Sequence, residues 1–142
     1  MTYGANAGRN RYGQDAVLSA TPVQLLTMLY DRLMLDLGRA EVAQLQAQWN
    51  DASNHLTHAQ SIVVELTTSL KADIWEGSEG LRGLYSYVLT ALMAANIQRE
   101  VARTRECIEL LEPLRQAWHQ AAEQLPAQNA QHTVAGGMLG IA

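Results

Sequence analysis

Apolar residues recur along this chain with the 3.6-residue period of a helix, and nowhere do they alternate with period two over the length of a strand. Four segments carry the helical period. The first opens on TPVQ, where Thr21 offers an N-cap hydroxyl, Pro22 suits the first helical position because its missing N–H is not needed there, and Gln24 completes a capping box. A helix is predicted from Pro22 to about Gln46. A second starts at Asn50, with Asp51 in its first turn where an anion meets the positive helix end, and runs to about Ala72. Gly77 and Gly80 interrupt the pattern, and Ser78 is placed to cap a third helix reaching Gln98. After a short break at Arg99 and Glu100, a fourth runs to about Gln124, where Leu125 and Pro126 end it. The expected architecture is all-α, an antiparallel four-helix bundle over residues 17–125. It is flanked by a flexible, Gly- and Asn-rich N-terminal arm, residues 1–16, and a disordered tail, residues 126–142. Pro113 conflicts with its own helix, since it removes a backbone hydrogen bond and clashes with the carbonyl of Glu109; a kink or a restart is expected there.

Each helix carries a core stripe. On the first it is Leu26, Leu29, Leu33, Leu37 and Ala40; on the second Ala52, Leu56, Ala59, Val63, Leu66 and Leu70. The third presents Leu81, Leu84, Tyr85, Val88, Leu92 and Ala95, and the fourth Cys107, Leu110, Leu114, Trp118 and Leu125. Other apolar residues fall on the polar faces. Met28, Leu35 and Val42, one heptad apart, run in line down the face that also carries Gln24, Asp31 and Arg39. Val64, Met93, Ile97 and Ile108 point outward on the later helices. One exposed apolar side chain is ordinary, but a contiguous strip marks a partner site, and Met suits a site that adapts its shape. The same strip could equally serve a homodimer.

Composition narrows the partner. The 142 residues carry a formal charge of -4 and a single lysine, Lys71, so no basic run can track a phosphate backbone and nucleic acid is not expected. The longest uncharged apolar stretch, between Arg82 and Arg99, is shorter than the roughly 20 residues needed to span a bilayer. No apolar leader stands at the start of the chain, and a cytosolic protein without membrane insertion is expected. Cys107, the one cysteine, reads as a small buried hydrophobe.

Catalytic groups do not converge. His55 and His58 share a helix face but lack the Glu-x-x-His pairs of di-iron bundles, and they read as solvated or core-edge residues. His119 and His132 have no partner at ligand spacing. Asp31, Asp36 and Glu41 diverge around the first helix and read as surface charge. A helical mutase would aim several cations inward, whereas Arg32, Arg39, Arg82 and Arg115 fall on solvated arcs. No enzyme activity, metal or cofactor is expected.

Tyr12, Gln14 and Val17, followed by SATPVQLLTMLYDR from Ser19 to Arg32, resemble the opening of the flagellar secretion chaperone FliS family. LYSYVLTALMAANIQ is similar to that family's third helix, and LLEPLRQAWHQ to its last, apart from Pro113. The resemblance spans Tyr12 to Gln124. It implies a four-helix bundle that binds the C-terminal segment of flagellin, prevents its premature polymerisation and delivers it to the type III export apparatus, with export gate components as further partners. It also implies that the arm covers part of the binding surface when cargo is absent, making Tyr12 and Val17 lid residues; a packing anchor is the other role open to Tyr12. The resemblance does not assign the cargo contacts; the helical pattern does, and the cargo-binding residues expected from it are Met28, Leu35, Val42, Val64, Met93, Ile97 and Ile108. The rival is a homodimeric structural or adaptor bundle that self-associates without cargo.

Overall fold

The computed structural model describes residues 20–70 and 76–138, with side chains described as far as Gln124. Tyr12, Val17 and the rest of the N-terminal arm lie outside the described residues. The described chain forms four α-helices: α1 Pro22–Leu45, α2 Trp49–Ser69, α3 Ser78–Ile97 and α4 Val101–Met138. No strand occurs among the described residues. The fold is the all-α helical bundle expected. The chain divides into two units, one of Met28–Ala117 and one of its two end portions, up to Thr27 and from Trp118.

In the unit of the end portions, Thr21 and Gln24 form the capping box reciprocally. The Gln24 N–H donates to Thr21 Oγ1 at 3.2 Å, and the Thr21 N–H donates to Gln24 Oε1 at 2.9 Å. The later helices start less tidily than predicted. α2 begins at Trp49, one residue before Asn50, and its cap residue Gln48 makes no side-chain capping bond. Ser78 is the first helical residue of α3 and not its cap, a position held by Gly77.

In the unit Met28–Ala117, hydrogen bonds between helices fix the topology. Tyr30 and Tyr85 share a hydrogen bond of 2.5 Å near the starts of α1 and α3, and Gln44 Nε2 donates to the Ala95 carbonyl at 3.1 Å near their ends, so these two helices run parallel. α4 runs the other way: Arg105 pairs with Glu41, and Arg115, further along α4, pairs with Asp31, earlier on α1. α2 likewise opposes α3, with Asn96 near the end of α3 donating to Ser53 near the start of α2 at 3.2 Å. The result is an up-down-up-down arrangement.

The core stripe of α2 is buried as predicted throughout, and so is α3 from Tyr85 to Ala95. Leu33, Leu37 and Ala40 are buried on α1, while Leu26 and Leu29 are only partly covered. The core also takes side chains that hydrophobicity alone does not select. Tyr30 is fully buried, and so is Asp36, which the sequence assigned to the surface. Asp36 is held by His58 Nδ1 from α2 and by Arg32 Nε at 3.2 Å, one turn earlier on α1. Those partners are what permit a buried carboxylate. Buried Gln44 links three helices, since its Oε1 accepts from Thr104 of α4 at 2.7 Å while its amide donates to α3.

Two expectations for α4 are corrected. Its buried face is Thr104, Cys107 and Leu111, with Leu110 exposed and Leu114 partly so. The face is turned roughly 50°, about half a residue step, from the one read off the apolar pattern. The helix also neither restarts at Pro113 nor stops at Gln124, but continues past Pro126 to Met138. Pro113 and Glu109 are both exposed, so the carbonyl deprived of its N–H partner faces water. Leu125 lies outside the described side chains.

Candidate functional site

The outward line predicted on α1 is present. Met28, Leu35 and Val42 are 40, 44 and 53 % exposed on a helix whose opposite side is fully buried. Leu35 and Val42 line one shallow depression of about 390 Å³, together with Met34, Gly38, Arg39 and Ala43 of α1 and Gln48 and Asp51 from the turn into α2. Met28 continues the line toward the start of α1 without lining the depression. The floor is apolar, and charge is confined to the edge: neither Arg39 nor Asp51 forms an ion pair or hydrogen bond with another described residue. Their charges remain available to an occupant.

Neighbouring charges are already committed. Arg105 grips Glu41 with two hydrogen bonds, of 2.5 and 2.6 Å, and that bonding holds the Glu41 carboxyl below its usual range. Arg115 bonds Glu112 on its own helix and reaches Asp31 at 3.1 Å, so its guanidinium is held charged. Such partly exposed pairs contribute little to stability, about 0–1 kcal/mol each. They do set which charges an incoming partner meets.

The other predicted positions are dispersed. Val64 of α2 and Met93 of α3 are about half exposed, and Ile97 is 77 % exposed at the end of α3. Ile97 lines a second, more polar depression of about 260 Å³ with Gln44, Trp49, Asn96 and Arg99. Ile108 is only partly exposed, a correction that follows from the turned face of α4. Sequence reasoning missed Leu45, 70 % exposed at the end of α1, and Tyr87, whose hydroxyl donates to Glu106 of α4 at 2.5 Å. Leu45 falls at the edge of a pattern that was matched to heptads, and it was passed over for that reason.

Among the described residues no group of three or more His, Cys, Asp or Glu side chains is placed to hold a metal ion, and no helix is long and apolar enough to cross a membrane. Cys107 is fully buried, and desolvation, followed by the nearby Glu106 charge, pushes its thiol up to about 12.

An all-α bundle whose uncommitted surface is an apolar, charge-edged groove is the architecture of a partner-binding protein. The chain belongs to the FliS family, whose sequence model, described as Flagellar protein FliS, matches residues 4–125. The flagellar secretion chaperone FliS of Bacillus subtilis (strain 168) is 30% identical over 112 residues, covering 79% of this chain and 84% of that protein. The protein of the same name from Escherichia coli (strain K12) is 29% identical over 126 residues, covering 82% and 90%. A solved structure described as a flagellar chaperone from bacteria shares the fold with a TM-score of 0.67 at 21% identity, covering 84% of this chain and 98% of that one. The family is one of chaperones and not of enzymes, and its role in flagellar export implies an export cargo as partner.

Proposed function

We propose that this chaperone binds the C-terminal segment of flagellin in the cytosol, keeps it from polymerising early and delivers it to the flagellar type III export apparatus. The observation that carries the reading is the line of Met28, Leu35 and Val42, apolar side chains kept exposed on a helix whose other face is fully packed. Exposed strips of this kind are a liability for a soluble bundle unless a partner covers them. Flagellin supplies the chemistry required, a segment that is disordered alone and gains by laying apolar side chains into grooves as it orders. Met93 and Ile97 are exposed on a different helix, α3, so a single segment that covers both sets of side chains extends over more than one helix of the bundle. The Tyr12 and Val17 arm is the resident competitor for that surface.

Isothermal titration of the full-length protein with a C-terminal flagellin fragment from the same organism tests the reading, with saturable one-to-one binding at or below tens of micromolar expected. Absence of heat and of co-migration on gel filtration at those concentrations overturns it. Self-association without cargo, measured by sedimentation and lost on Leu35→Asp, would assign the strip to a second copy instead.

A further inference from the structure

Gly38 stands in the middle of α1, where glycine weakens a helix relative to alanine. A Cβ built on it meets nothing within 4 Å, so the chaperone's own packing does not require glycine there. Gly80 and Gly83 also have open space, but they lie in the first two turns of α3 and line neither of the depressions described above. Gly38 does line one, lying between Leu35 and Val42 in the α1–α2 groove.

Resting on the flagellin reading above, we infer that Gly38 is the close-approach point of the groove, where an amphipathic helix of the cargo crosses α1 nearly backbone to backbone, its charged flanks meeting Arg39 and Asp51. A side-chain-free position flanked by apolar residues lets two helices approach more closely than ordinary side chains allow, and Met34, Leu35 and Val42 supply the ridges around it. The charges orient the occupant. Asp51 stands in the first turn of α2 beside Gln48, and Arg39 stands one turn of α1 back from Ala43; both are unpaired among the described residues. A helix with its positive N-terminal end toward Asp51 and a carboxylate toward Arg39 satisfies both, and it runs antiparallel to α1. The occupant is therefore a helical segment with a small residue at the crossing, apolar residues at i, i+3 or i+4, and i+7, and an acidic side chain toward its C-terminal end.

The test separates the needs of the chaperone from those of the cargo, using the full-length protein and the flagellin C-terminal fragment. Gly38→Ala should raise the melting temperature by a few degrees and weaken fragment binding about 10-fold. Gly38→Met should fill the depression and weaken binding about 100-fold without unfolding the bundle, and Arg39→Glu should weaken it about 10-fold in a salt-dependent manner. Binding by Gly38→Met as tight as by the wild type overturns the inference while leaving the parent reading intact. A melting temperature lowered by Gly38→Ala also overturns it, because the glycine would then serve the chaperone's own helix. No binding by the wild type overturns the parent reading and this occupant together.

Discussion

Among the described residues two non-glycine positions hold left-handed backbone, Ala47 with φ 56° and Arg99 with φ 55°, and both end a helix in the same way. After α1 the Gln48 N–H bonds the Ala43 carbonyl at 2.8 Å and the Ala47 N–H bonds that of Gln44 at 3.1 Å; after α3 the Glu100 N–H bonds Ala95 at 3.0 Å. These are Schellman closures of the helix ends, in which the left-handed position usually belongs to glycine. The two residues differ in compensation. Arg99 stacks over the Trp49 ring at 4.9 Å, an interaction worth about 0.5–1 kcal/mol at an exposed site, whereas Ala47 has no such gain. Ala47→Gly should therefore stabilise the protein by about 1 kcal/mol, with the relief of the Cβ clash offset in part by glycine's greater unfolded-state freedom. A rise in melting temperature of about 3 °C by calorimetry checks it, and Arg99→Gly should gain less. Cys107 gives a second expectation at this scale. Its folded thiol is raised to about 12, so the stability it contributes is complete below the unfolded cysteine value near 9 and is lost as pH climbs from there toward 12. Alkylation in the native state should stay slow at pH 8–9 and become fast on adding denaturant. The capping box of Thr21 and Gln24 was legible because it uses residues three apart on one strand of chain. The burial of Asp36 was not, since its partner His58 is remote in sequence and a lone carboxylate reads as surface.

At the level of the helix, legibility depended on how far hydrophobicity decides what is inside. α2 was read correctly because its stripe is wholly aliphatic or alanine and its other face, Val64 apart, is polar or charged. α4 was misread because its buried face begins with a polar residue, Thr104, made acceptable inside by its bond to Gln44. The adjacent Leu110 and Leu111 then offered two phases of the same period, and the apolar count chose the wrong one. The distinction is measurable. Leu111→Ala removes a fully buried side chain and should cost about 2–5 kcal/mol in urea unfolding, whereas Leu110→Ala should cost less than about 1 kcal/mol. Equal losses would mean that the face of α4 is shared between the two leucines. The ends of the helices were the least legible features: nothing local in the sequence requires α2 to start at Trp49, or α4 to pass two prolines, when the freed carbonyl can find water.

For the molecule as a whole, the proposed function divides α1 into a face that folds the protein and a face offered to a partner. Leu33, Leu37 and Ala40 belong wholly to the first, and Met28, Leu35 and Val42 mainly to the second. If that division is real, the two properties separate under mutation. Replacing Met28 and Leu35 together with Asp removes side chains that are only about three-fifths covered, so the melting temperature should fall clearly less than on truncating the fully buried Leu33 and Leu37. The complex has more to lose. Covering the exposed parts of two such side chains contributes about 1–2 kcal/mol, and two carboxylates left facing an apolar segment add an unpaired-charge penalty of similar size or larger. Binding of the flagellin fragment should weaken by at least 100-fold, mainly through faster dissociation. A control pair on the folding face, Leu33→Ala and Leu37→Ala, should show the reverse, a large loss of stability and, in whatever fraction remains folded, near-normal affinity. Should the Met28 and Leu35 pair cost as much stability as the control pair, the outward face would be part of the fold, and the chaperone would have to hold its cargo elsewhere.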